Sequence, residues 1–320
     1  MNYIDVFNGD ADGICALVQL RLAEPRQSEL VTGIKRDINL LASVNATANS
    51  KITVLDISFE KNVQDIVKLL EQGAKIDYID HHQTGELIQH ENLTTHIDLD
   101  ANVCTSLIVD KLLKGKYRAW AITAAFGDNL LATAMALGIE SGFTPTEIDT
   151  MKDLGILLNY NGYGAHIDDL FFHPEKLFEK LKPFVTSLDF IDHDQETYQI
   201  LAKGYEQDME LANKAPVLHE TNHTAMIILP DVAWARRVSG VFSNDLANKH
   251  SDRAYAILTT HHDGSFLVSV RAPLNRKYGA DELVSQFPMG GGRKAAAGIN
   301  RLLADKLEQF RGSFERQFSE

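Results

Sequence analysis

In the first third of the chain, short runs of apolar and β-branched residues alternate with longer stretches whose apolar positions recur at helical spacing. The runs at 2–7, 30–35, 52–56, 75–79 and 94–98 predict strands, and 13–24, 60–72 and 102–113 between them predict helices. That order predicts right-handed βαβ units and a largely parallel sheet with helices on both faces. From about 117 to 160 the pattern is mostly helical, and Asn159-Tyr160-Asn161-Gly162-Tyr163-Gly164 then reads as a loop. Residues 174–213, rich in Lys, Glu, Leu and Gln, read as helices leading into a connector. A second β-rich unit begins near Thr224, with strands at 224–229, 253–260 and 265–271 and a helix at 233–249. His262-Asp263-Gly264 supplies a hairpin turn, and an amphipathic helix near 302–318 closes the chain. The fold expected is α/β in two lobes. A parallel-sheet domain covers 1–185, a helical connector 186–220, and a smaller α/β substrate-binding domain 221–320.

A length of 320 residues accommodates two separate cores. The net charge of −13 argues against tracking along a long nucleic-acid duplex, which requires a basic surface. It leaves room for a small anionic substrate, because a bound dication reverses the local field. The two cysteines, Cys15 and Cys104, stand in no metal-ligand spacing and point to a reducing compartment. The N-terminus lacks a basic segment followed by an apolar one, and no apolar run reaches the ~20 residues of a membrane span. A cytoplasmic location and no membrane partner are the expectations.

The chemistry lies where predicted strands end. Asp80-His81-His82 follows the run Ile76-Asp77-Tyr78-Ile79, and Asp10-Ala11-Asp12-Gly13 follows the first strand. Asp56 ends the third strand, and Asp128 follows Ala124-Ala125-Phe126-Gly127. In parallel sheets ligands collect at these carboxyl ends. Taken singly, Asp10 and Asp12 could be a capped turn, Asp56 a helix cap and Asp128 a turn residue. Together they point to a two-metal centre for phosphoryl chemistry, with Asp56 bridging two cations. Carboxylates suit hard dications, and imidazole favours Mn²⁺ over Mg²⁺. In this reading His81 is a ligand whose tautomer Asp80 fixes, and His82 faces the scissile phosphate as an acid or electrostatic clamp.

In this order, Asp10-Ala11-Asp12, Asp56, Asp80-His81-His82 and Asp128, followed by Gly290-Gly291-Gly292-Arg293-Lys294-Ala295-Ala296-Ala297-Gly298, the chain resembles the DHH phosphoesterase superfamily with its DHH-associated C-terminal domain. The layout is similar to that of nano-RNases, which degrade very short RNA and dephosphorylate nucleoside 3′,5′-bisphosphates. The resemblance implies two Mn²⁺ ions, with Mg²⁺ as the alternative. One cation would take Asp10 and Asp56, and the other Asp12, Asp56, His81 and Asp128. Two departures stand out. Val6 occupies the position of a usual ligand His, so that Asn8 is the substitute oxygen donor, and Arg293 replaces a His after the triple glycine. Arginine still offers phosphate a planar fork.

Gly290, Gly291 and Gly292 would bring backbone N–H groups to a phosphate, with a helix N-terminus behind them. Arg271, ending an apolar strand, matches a phosphate-binding Arg of nano-RNase relatives, whereas Arg236 and Arg237 read as surface charges on a helix. The function implied is metal-dependent hydrolysis of short oligonucleotides or small nucleotides. A cyclic-dinucleotide phosphodiesterase, an inorganic pyrophosphatase and a catalytically weakened nucleotide-binding regulator are the alternatives. A homodimer stays open as an assembly.

Overall fold

A computed structural model describes residues 1–319. The chain divides into two units, Met1–Gly204 and Tyr205–Glu320. The boundary falls inside a helix, Gln195–Asn213.

The first unit is built on five parallel strands: β1 (Asn2–Phe7), β2 (Glu29–Thr32), β3 (Ser50–Leu55), β4 (Lys75–Asp80) and β5 (Leu93–Ile97). Their order in the sheet is β2-β1-β3-β4-β5, all pairs parallel. Alternate side chains serve the two faces. Ile4, Val6, Ile52, Val54, Ile76 and Tyr78 face one layer, where α2 (Phe59–Glu71) contributes Phe59, Ile66, Leu69 and Leu70. On the other face α1 (Ala11–Ala23), buried along most of its length, packs against α3 (Thr105–Leu112) and α4 (Arg118–Gly127). The chain therefore leaves β1 toward one face and β3 toward the other. A crevice opens where such connections diverge, at the carboxyl ends of β1 and β3. Asp10 and Asp56 follow those two strands.

Helices α5 (Leu131–Glu140) and α6 (Pro145–Asn161) come next. A Thr144–Glu147 capping box and Pro145 start α6, which runs through Asn159, Tyr160 and Asn161, not a loop as the Asn and Gly content predicts. Asn161 is buried, bonded to the backbone of Phe172 in both directions. Gly127 and Gly155 let α4 and α6 approach closely: a Cβ on Gly155 would lie 2.1 Å from the Thr123 carbonyl oxygen. The helices α7 (Pro174–Leu181), α8 (Ser187–His193) and α9 (Gln195–Asn213) follow.

The second unit carries a mixed sheet of β6 (Val217–Glu220), β7 (Thr224–Leu229), β8 (Ala254–Thr260), β9 (Phe266–Arg271), β10 (Gly290–Arg293) and β11 (Ala296–Leu302), ordered β10-β11-β9-β8-β7-β6. Only the β7–β8 pair is parallel. One face is covered by α10 (Ala233–Lys249), and the other by α11 (Ala280–Val284) and α12 (Leu307–Gln317). Gly290 to Gly292 are therefore an edge strand paired with β11, not a loop before a helix. Arg237 is also not a surface charge: it is buried and binds Asp208 through two nitrogens at 2.7 and 2.9 Å. Arg236 pairs with Asp231.

Candidate metal centre

Asp10 caps α1, its Oδ1 accepting the N–H groups of Asp12 at 3.0 Å and Gly13 at 3.1 Å. Asp12, the second residue of that helix, receives the first N–H groups of α3: Thr105 to Oδ2 and Ser106 to Oδ1, both at 2.7 Å. A helix N-terminus thus holds a buried carboxylate in place. Asp56 follows β3 in the left-handed region, φ +58°, with its N–H donated to the Ile79 carbonyl at 3.1 Å. Strained backbone of this kind is found where a side chain must be aimed. Asp128 ends α4.

His81 completes the group. Its Nε2 lies 3.4 Å from Asp56 Oδ1, 3.8 Å from Asp128 Oδ2 and 3.9 Å from Asp12 Oδ2. Its Nδ1 is 2.9 Å from the Val103 carbonyl oxygen, which only accepts, so Nδ1 carries the proton. In the neutral ring Nε2 then presents a lone pair to three carboxylates, as metal-ligating histidines do. Asp80 does not orient His81, as the sequence reading had it. It is the last residue of β4, and its Oδ1 meets His82 Nδ1 at 2.8 Å. That hydrogen bond is the main reason the half-exposed His82 stays protonated to a higher pH than a free imidazole.

Asp10, Asp12, Asp56 and Asp80 are each no more than 2% exposed. Burial first, then the charges of Asp10, Asp12, Asp80 and Asp128, push the Asp56 carboxyl well above its ordinary range. Burial with Asp12 and Asp10 lifts Asp128 to about 6. So many carboxylates out of water require cations. Two overlapping donor groups could hold one: Asp56, His81 and His82, or Asp12, His81 and Asp128, with the donor atoms of each within 4.8 Å of one another.

A residue absent from the sequence reading stands among them. The ammonium of Lys35 bonds Asp10 Oδ2, takes Asn159 Oδ1 at 2.9 Å and lies 3.8 Å from Asp128 Oδ1. Asn8 does not present a free oxygen: its Oδ1 accepts the Asp10 N–H at 3.2 Å, and its amide donates to the Lys35 carbonyl. The pocket above these groups measures about 260 Å³ and is also lined by Ser58 and Lys61, which the motifs did not reveal. A larger cavity of about 900 Å³ lies elsewhere. Its arginines, Arg21 and Arg26, are engaged by Asp5 at 3.2 and 3.3 Å, and no metal-ligand set among the described residues lines it.

The remaining predicted residues lie in the second unit. Tyr255, Arg271, Ala296 and Arg293 form one row across β8, β9, β11 and β10, so Arg271 and Arg293 are on the same face of that sheet. Arg271 Nε donates to Asn244 on α10 at 2.7 Å.

Residues 4–139 match the family described as DHH family, N-terminal domain. Among solved structures the chain is similar to a DHH-domain protein described as a member of a family of ribosomal proteins, at 13% identity, with 99% of this chain and 86% of that one covered and a TM-score of 0.65. RecJ in complex with Mn²⁺ from Thermus thermophilus matches at 15% identity and a TM-score of 0.64, over 98% of this chain but 51% of RecJ. The pGpG-specific phosphodiesterase PggH from Vibrio cholerae matches at 13% identity and a TM-score of 0.55, over 99% of this chain and 98% of that one. No curated protein matches the chain in sequence. These likenesses establish the fold.

Proposed function

We propose, from the match of residues 4–139 to the DHH family, N-terminal domain, that the chain is a divalent-metal-dependent phosphoesterase acting on short oligonucleotides or small nucleotides. The observation that carries this reading is the His81 Nε2 lone pair directed at Asp12, Asp56 and Asp128 within a cluster of buried carboxylates. Those four residues would hold the cation, with Mn²⁺ favoured by the imidazole and by the Mn²⁺-bound RecJ structure. When bound, the cation supplies Lewis acidity toward water and toward the phosphoryl oxygens.

The protein's own groups do the rest. Val103 and the α3 N-terminus orient His81 and Asp12. His82, whose protonated form is favoured by Asp80 and which reaches solvent, would protonate a leaving oxygen. Arg271 and Arg293 are assigned to phosphate contacts on the face of the second unit's sheet.

Release of mononucleotide or phosphate with added Mn²⁺ tests this on a linear RNA dinucleotide, a cyclic dinucleotide, a long single strand and 3′-phosphoadenosine 5′-phosphate. Turnover of the small substrates, abolished in His81→Ala, is expected. Silence across the panel from metal-loaded protein would overturn the phosphoesterase reading.

A further inference from the structure

We propose that this centre holds one divalent cation, and that the ammonium of Lys35 stands in place of a second. The inference rests on the metal-dependent reading above and departs from the two-ion centre that the motifs suggest.

The residues at the Asp10 end do not fit a metal. Val6, where the motif calls for an imidazole, is fully buried in an apolar layer and pairs with Val31 and Val54 on the neighbouring strands. Asp10 Oδ1 accepts two backbone N–H groups, and Oδ2, unlike either Asp12 oxygen, is already paired with a cation, Lys35. Of the neutral oxygens nearby, Asn8 Oδ1 accepts the Asp10 N–H and Asn159 Oδ1 accepts from Lys35. Neither of the two metal-competent donor groups includes Asp10, and the two share His81, so they describe one locus.

Lys35 is held as firmly as a ligand sphere would hold an ion. Its backbone N–H donates to the Gly162 carbonyl at 2.9 Å, and its carbonyl accepts from Asn8. Its ammonium hydrogen-bonds Asp10 and Asn159 and lies 3.8 Å from Asp128 Oδ1. A dication brought to Asp10 would have to displace this ammonium or sit against it. A fixed single charge neutralises Asp10 without a metal and leaves Asp12, Asp56 and Asp128 to one cation. Lys35 thereby acts as a positioning and charge-balancing residue.

The test is the number of Mn²⁺ ions bound per full-length chain at saturation, by equilibrium dialysis, together with the electron paramagnetic resonance spectrum of the bound metal. The wild type is expected to bind one ion with the spectrum of an isolated centre. Lys35→Arg, which keeps the charge, should also bind one. Lys35→Ala should admit a second, weaker ion, with spin coupling between the two. Two coupled ions in the wild type would overturn the proposal while leaving a metal-dependent function standing, and so would a folded Lys35→Ala that stops at one. The wild-type count decides the matter even if Lys35→Ala fails to fold. No bound Mn²⁺ in any variant would remove the metal reading itself, a separate and recognisable failure.

Discussion

Asp128→Asn should stabilise the metal-free protein at neutral pH. The carboxyl is lifted from 3.8 to about 6 by burial and by Asp12 and Asp10, against the opposing pull of Lys35 and His81. Its side chain is 23% exposed, so screening by solvent is limited. A folded-state pKa above the unfolded value means that ionisation opposes folding. The penalty is absent below about pH 4 and fully developed above about pH 6, where a rise of this size corresponds to about 3 kcal/mol. Asp56 acts in the same direction, since its carboxyl is raised too. Asp10 acts in the other, because its pairing with Lys35 lowers its pKa and so favours folding at higher pH. Comparing wild type with Asp128→Asn at each pH isolates the Asp128 share. Asparagine keeps the shape and removes the charge. Urea unfolding in EDTA on a Trp234→Phe background leaves Trp120, buried in α4, as the reporter of the first unit. The variant should match the wild type near pH 4 and exceed it by up to about 3 kcal/mol at pH 7.5, roughly 6–12 °C in Tm. No gain at pH 7.5, or an equal gain at pH 4, would refute the charge-crowding argument.

With Mn²⁺ at a hundredfold excess over its Kd, the wild type should gain about 2.7 kcal/mol of stability, and His81→Ala should gain almost none in the same thermal melt. Asp80→Asn leaves an acceptor for His82 Nδ1–H but removes the carboxylate charge that favours the protonated ring. The fall in kcat at high pH should then move to lower pH, and an unmoved profile would rule out His82 as the acid. Gly155→Ala forces a Cβ to within 2.1 Å of the Thr123 carbonyl oxygen where α4 and α6 cross. A loss of about 1–3 kcal/mol by urea unfolding is expected, and an unchanged midpoint would contradict the packing described.

Much of the first unit was legible because its strands read as short, largely apolar and β-branched runs, and β1, β3 and β4 lead into Asp10, Asp56 and Asp80. Asp56 and His81 converge because they follow β3 and β4, and the N-terminus of α1 and the C-terminus of α4 bring Asp12 and Asp128 to the same place. Lys35 was not legible. A lone lysine after a four-residue strand looks solvated, and only the backbone bond to Gly162, far along the chain, turns it inward. Asp80 was given the wrong imidazole because β4 extends one residue further than its apolar run, which directs the carboxylate to His82. The Gly290–Arg293 edge strand has almost no local β propensity and exists through pairing with β11. In α6 the helix carries on through Asn159 and Asn161, where buried Asn161 is anchored by its two bonds to the Phe172 backbone.

Anomalous diffraction at the manganese edge, from crystals of the full chain soaked in Mn²⁺, tests the central claim most directly. The account predicts a peak bonded to His81 Nε2 and to oxygens of Asp12, Asp56 and Asp128. A map with no peak at that locus, or with Mn²⁺ bound only elsewhere on the protein, would contradict it.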